Sequence, residues 1–197
     1  FYQVNNSNLN WSALHFFDTI SLSFLQDKAL LLNRKELKFI VPIALLDTIL
    51  NECKDDYYLL KISEESVFKY NTNYFDTLDL KLYFDHHHGK GNRFKIRERV
   101  YVKSDLKYVE IKSKTNKNQT VKSRKEIKNW LEAKDFIQDH TANLASDLHQ
   151  SLYSEYNRIT LLHKEKKEKV TLDFDLIFGE KQQSIQYNAI VIAEVKA

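Results

Sequence analysis

Between Asn92 and Lys114 the chain reads NRFKIRERVYVKSDLKYVEIKSK, and no other stretch restricts the fold as tightly. At the two-residue period of a strand, Arg93, Lys95, Arg97 and Arg99 point to one side. Phe94, Ile96 and Val100 point to the other, with Glu98 the exception. A polar turn near Ser104 and Asp105 returns the chain through Tyr108 to Lys114, where Val109 and Ile111 lie opposite Glu110, Lys112 and Lys114. The expected hairpin has an apolar face that needs a cover and a basic face whose cations repel one another. Solvation is the ordinary fate of a charged sheet face. Here the density of cations, with arginine's planar fork among them, points instead to a phosphate-binding groove or tunnel.

Thirty basic and 27 acidic side chains give a net charge of only +3, so the basic row is local and offset by acids elsewhere. That balance favours a specific anion over a nonspecific nucleic-acid coat. The aromatics Tyr74, Phe75, Tyr83 and Phe84 read as core rather than stacking platforms, so no nucleic-acid partner is expected. With 197 residues, 43% of them hydrophobic and 29% charged, the chain suits one soluble globular domain. A lone cysteine, Cys53, offers neither a disulfide nor a zinc motif and suits a reducing, cytoplasmic setting. The apolar runs at 29–32 and 189–193 fall far short of the ~20 residues a bilayer span needs. There is no signal-peptide pattern. The absence of methionine suggests a processed or truncated chain, ending just after a strand.

Taken in order, residues 1–32 read as a helical lead in which Leu14, Phe17, Ile20, Leu22 and Leu25 form a loose stripe. Residues 33–41 alternate as a strand with Arg34, Glu36 and Lys38 on one face. Pro42 opens a helix to about Asp55 that covers the sheet. Strand-like runs follow at 67–75 and 78–84, then a turn, DHHHGKGNR, into the basic hairpin. Adjacent His86, His87 and His88 diverge too much to ligate one metal, and a contact to phosphate or a neighbouring strand fits them better. Residues 121–125 put Lys122 and Arg124 on one face; helical segments are expected at 126–138 and through Leu144, Leu148 and Leu152. Strands at 155–162 and 169–177 align Tyr156, Arg158 and Thr160, and Thr171, Asp173 and Asp175. The last strand, 189–196, sets Glu194 and Lys196 opposite Val191, Ala193 and Val195.

These runs imply an α+β protein in which about eight antiparallel strands close into a barrel, charged rows inward and helices packed outside. An interior so charged cannot be dry, because each unpaired buried ion costs several kcal/mol. Cations with a few carboxylates among them suit a linear polyphosphate and a divalent metal.

In order and spacing, RKELKF, NYFDT, HHHGKGNRFKIRERVY, YVEIKSK, KSRK, EYNRITL, VTLDFD and AEVKA resemble the VTC domain of polyphosphate polymerases, within the triphosphate tunnel metalloenzymes and their CYTH relatives. The resemblance spans 33–197. It implies an enzyme that, with Mn2+ or Mg2+, moves the terminal phosphoryl group of ATP onto a growing inorganic polyphosphate chain. By matching motif, Lys38, Arg97, Arg99 and Lys196 are implied to be catalytic, and Arg93, Lys95, Lys112, Lys122, Arg124 and Arg158 to bind substrate. Glu194 resembles the metal-binding glutamate, with Glu36, Glu110 and Asp173 as further metal candidates or ion-pair partners. The CYTH signature ExExK has Arg34 in place of its first glutamate, which turns the likeness toward the VTC branch. VTC domains are expected to continue into a helix beyond EVKA. A triphosphatase using water as acceptor, or a noncatalytic sensor of polyphosphate or inositol phosphates, are the competing readings. Acceptor, oligomeric state and any membrane partner are left open.

Overall fold

The computed structural model describes residues 11–29, 35–117, 119–141, 144–180 and 183–197; Arg34 lies outside them. In chain order the elements are β1 (Thr19–Ile20), α1 (Leu22–Ala29), β2 (Glu36–Pro42), α2 (Leu46–Cys53), β3 (Tyr57–Leu60), β4 (Phe68–Asp76), α3 (Lys81–His87), β5 (Arg93–Tyr101), β6 (Leu106–Lys114), β7 (Thr120–Glu126), α4 (Trp130–Thr141), β8 (His149–His163), β9 (Lys169–Glu180), β10 (Gln183–Tyr187) and β11 (Ile190–Lys196). Single 3-10 segments occupy Trp11–Phe16 and Ile43–Leu45. The strands follow the order β2-β11-β9-β8-β4-β5-β6-β7, with β1, β3 and β10 as side branches. This is a mostly antiparallel α+β sheet whose ladders, among the described residues, end at β2 and β7. Hydrogen bonds therefore do not close the expected barrel.

The chain divides into two compact units, with β8 and β9 each running from one into the other. The first holds residues 1–69, 156–176 and 186–197. In it β11 lies between β2 and β9, pairing Glu194 with Lys38 and Thr171, and Lys196 with Glu36. Directly paired residues share a sheet face, so the charged side chains of three strands gather on one side. The alternate residues Leu172, Phe174, Val191 and Ala193 fall on the other side, where Ile43, Leu46 and Leu50 cover them. The helical cover predicted after Pro42 is present, starting as a 3-10 turn and becoming α2. Leu46, Ile49, Leu50 and Cys53 recur at the spacing of one helix face, and all belong to this core. Burying each leucine contributes roughly 1.5–3 kcal/mol.

The second unit holds residues 70–155 and 177–185. Here Ile96, Val109 and Ile111 form the apolar face of β5 and β6, roofed by Leu82 of α3 and by Ala133 and Ile137 of α4. Phe75 stacks on Trp130 with ring centroids 3.8 Å apart.

Several expectations need correction. The run 78–84 is a turn and the start of α3, not a strand. Its cause is Asp76, only 4% exposed, whose carboxylate accepts N–H bonds from Thr77 (2.8 Å), Leu82 (2.8 Å) and Tyr83 (2.9 Å). Thr77 Oγ1 accepts a further bond from Lys81 N–H at 3.0 Å. Helix-terminal donors that lack intrahelical partners are thus satisfied by side chains, an anchoring that aromatic alternation does not reveal. The helix stops at Gly89, whose φ of 68° is a conformation that a side chain disfavours. Tyr83 and Phe84 are exposed rather than core, stacked against His87 and His88. The helical piece expected through Leu144, Leu148 and Leu152 is a turn followed by β8. Strands β1, β3 and β10 had no clear signal in the sequence.

Candidate functional site

The basic hairpin forms in the expected register, with Lys95 opposite Lys112, Arg97 opposite Glu110 and Arg99 opposite Tyr108. On the far side of β6, Lys112 faces Lys122 and Glu110 faces Arg124. Lys95, Lys112 and Lys122 therefore stand in line across three strands, and Arg93 faces Lys114 one pair further on. Like charges directly opposite each other destabilise a sheet. The neighbouring His86 registers that potential. Its pKa is lowered first by burial and then by Arg93, Lys95, Lys112 and Lys114.

Further along the face the cations are braced. Arg97 donates to Glu110 Oε2 through Nε at 2.7 Å and approaches it through Nη2 at 2.5 Å. Arg124 Nε lies 3.9 Å from the other Glu110 oxygen, and its guanidinium sits 3.5 Å from the Tyr108 ring centroid. Burial raises the Glu110 pKa, but Arg97 and Arg99 overcome it and hold the carboxyl below its ordinary value. Burial likewise opposes the charge on Arg97, and Glu110 more than restores it. Arg99 is 9% exposed and lies over Tyr70, while Lys95 Nζ lies 4.6 Å from the Tyr74 centroid. The Tyr74 phenol is shifted down: burial opposes this, and Lys95 and Arg97 prevail. Tyr70, Tyr74, Tyr101 and Tyr108 thus belong to the charged face, which the sequence reading missed for all of them and had assigned to core for Tyr74. Counting in twos from Arg99 to Tyr101 and from Glu110 to Tyr108 would have placed two of them.

In the first unit, Glu194 is held by Lys38 at 3.0 Å and by Lys196, which also reaches Glu36 at 3.6 Å. Lys38 bonds Glu36 as well. Burial penalises the Glu194 charge, yet hydrogen bonds from Lys196 and Lys38 bring its pKa down to about 2. Arg158 forks onto Asp173, Nε to Oδ1 and Nη2 to Oδ2 both at 2.6 Å. Thr171, the cross-strand neighbour of Glu194, has a buried hydroxyl with no hydrogen-bond partner among the described residues.

Of the carboxylates predicted to bind metal, the structure brings Glu36 and Glu194 to the same two lysines. It sets Asp173 on Arg158 and Glu110 on Arg97. No cluster of three or more His, Cys, Asp or Glu occurs among the described residues. Mg2+-like ions are commonly held by one or two carboxylates, with water and substrate phosphates completing the shell. The Glu36 and Glu194 pair, cross-linked by lysines that a cation could displace toward phosphate, fits that donor set.

Fold and site together define a mostly antiparallel α+β protein in which each of the two units carries a row of cations on its sheet. Residues 33–197 match the VTC domain family, and the chain belongs to it. No curated protein matches. Among solved structures, the Bacillus halodurans "putative adenylate cyclase" aligns with a TM-score of 0.55 at 13% identity, over 83% of this chain and 80% of that one. A Hippeastrum "putative adenylyl cyclase", described as having a dominant triphosphatase activity, aligns with a TM-score of 0.51 at 11% identity, over 82% and 78%. At such identities the likeness is one of fold alone. No helix among the described residues is long and apolar enough to cross a membrane.

Proposed function

We propose that this VTC domain is a metal-dependent polyphosphate polymerase, transferring the terminal phosphoryl group of ATP to a growing inorganic polyphosphate chain in the cytoplasm. In this reading the charged row on each unit's sheet binds phosphate oxygens. The observation that carries it is the line Lys95, Lys112 and Lys122, three cations in register across three adjacent strands, a row suited to successive phosphates of a polyanion.

Phosphoryl transfer needs little covalent chemistry from the protein and much electrostatic positioning. On the second unit Arg97 and Arg99 are the proposed catalytic cations, with Arg93, Lys95, Lys112, Lys122 and Arg124 binding substrate phosphates; on the first, Lys38 and Lys196 are the proposed catalytic cations and Arg158 binds substrate. Arg97 comes to the substrate already oriented by Glu110, and Arg158 by Asp173, so less freedom is lost on binding. Glu194 and Glu36 would hold Mn2+ or Mg2+, which would supply Lewis-acid neutralisation of the phosphate charge. An acceptor phosphate is already anionic at neutral pH and needs no base. A water acceptor must lose a proton, and of the candidate carboxylates Glu110 and Asp173 are engaged by arginines. That favours the polymerase over the triphosphatase.

Calorimetry with tripolyphosphate tests the binding half of this reading. Arg97→Ala is expected to weaken affinity by roughly 10- to 100-fold, the scale of one or two charged hydrogen bonds. Unchanged affinity contradicts the site.

A further inference from the structure

A second concentration of cations lies in the first unit, at the turn that joins β8 to β9. Lys164, Lys166 and Lys167 of that turn and Lys28 of α1 line a pocket of about 340 Å³ with Phe24 and Tyr58. Pockets for small ligands begin near 300 Å³. From this geometry we propose that the pocket is a binding site for a phosphate-bearing anion, separate from the charged face formed by Glu36, Lys38, Glu194 and Lys196.

Surface lysines alone would not make a site, because long side chains disperse in water. Here the turn is fixed and two of the ammonium groups are seated. His163 is 8% exposed, and its Nδ1 accepts the N–H groups of both Glu165 (3.0 Å) and Lys166 (2.9 Å). The turn is closed by His163 N–H to Glu168 O at 2.9 Å, and Lys164 N–H is tied to Asp56 O at 2.9 Å. Lys28 Nζ lies 5.6 Å from the Phe24 ring centroid and Lys164 Nζ 5.4 Å from that of Tyr58. The two rings meet edge to face at 6.1 Å. Aromatic faces attract ammonium groups at this range, so the rings keep both lysines at the rim.

The local acids act chiefly on one member of the set, since Asp18 and Asp55 both bear on Lys164. Asp18 pairs with Lys164 at 2.7 Å, and Glu165 is the one acid in the lining. Among the described residues no carboxylate pairs with Lys28, Lys166 or Lys167. Phosphate oxygens, which accept several ammonium donors at once, complete such a site. The same chemistry is offered by the end of a polyphosphate chain and by a phosphorylated lipid headgroup.

The test uses the Lys166→Glu, Lys167→Glu double variant, the Arg97→Ala variant and the triple combination, each checked for folding by circular dichroism. Tripolyphosphate is titrated calorimetrically at low salt without divalent metal. Arg97→Ala is expected to keep a binding event that weakens roughly 10-fold or more in the triple variant and that fades with added salt. If that event persists in the triple variant, or is absent from Arg97→Ala and the vesicles below are not bound either, the pocket is not a phosphate site. Failure of the polymerase reading shows differently, as wild-type affinity in Arg97→Ala alone. In a second arm, vesicles of phosphatidylcholine with or without phosphatidylinositol 4-phosphate are sedimented with the protein. Sedimentation that needs the phosphorylated lipid and is lost in the double variant assigns a headgroup; tripolyphosphate binding without it assigns free phosphate chains. Binding of neither probe overturns the proposal.

Discussion

Glu194 illustrates how a single carboxylate reports on its surroundings. Its hydrogen bonds from Lys196 and Lys38 lower the pKa from 4.5 to about 2. A depressed folded-state value means that the unfolded chain binds the proton more readily, so the stabilisation is complete above about pH 4.5 and is lost as pH falls toward 2. Glu194→Gln is expected to flatten the decline of folding stability across this window, measured by urea denaturation at successive pH values. An unchanged decline would mean that the lysines do not hold the carboxylate. The alternation of residues 190 to 196 gave Glu194 its face correctly, because period two depends only on backbone pleating. Its partners were not legible, since pairing Glu194 with Lys38 and Lys196 with Glu36 depends on a register between strands some 150 residues apart in sequence.

Among the elements, α3 differs most from its sequence expectation and shows why. Leu78 to Phe84 is a short aromatic run, and such runs do not separate strand from helix by periodicity. Asp76 decides the matter by accepting N–H groups at the start of the helix from a buried position. Asp76→Ala leaves those donors without their acceptor and is expected to cost roughly 2–4 kcal/mol. The cost would appear as a lower urea midpoint with an unchanged slope. A loss below about 0.5 kcal/mol, the level of an ordinary surface substitution, would refute the anchoring role. By contrast β5, β6 and β11 were readable almost to their ends, because each alternates between a charged row and a core row, and β7 was readable from Lys122 and Arg124 alone, since none of its residues is buried. Strand β3, Tyr57–Leu60, buries Leu59 and Leu60 in succession and so shows no alternation to read. β10 is exposed throughout and lacks any apolar period.

For the whole molecule, fold class and family follow from rows of charge set against rows of core, and the VTC likeness over residues 33–197 rests on the same strands. The tyrosines among the cations escaped notice because aromatic residues in strand patterns are usually core, whereas Tyr74 shares its face with Arg97. On that face Arg124 is seated on Tyr108 and Arg97 on Glu110, the ordered guanidinium groups that the proposed phosphate binding requires. In the proposed reaction the acceptor of the phosphoryl group is phosphate. Incubation of the purified chain with ATP and Mn2+, with ADP, free phosphate and long-chain polyphosphate quantified together, tests it most directly. ADP matched by polyphosphate is the predicted result; ADP matched by free phosphate, or ATP bound without turnover, would contradict it.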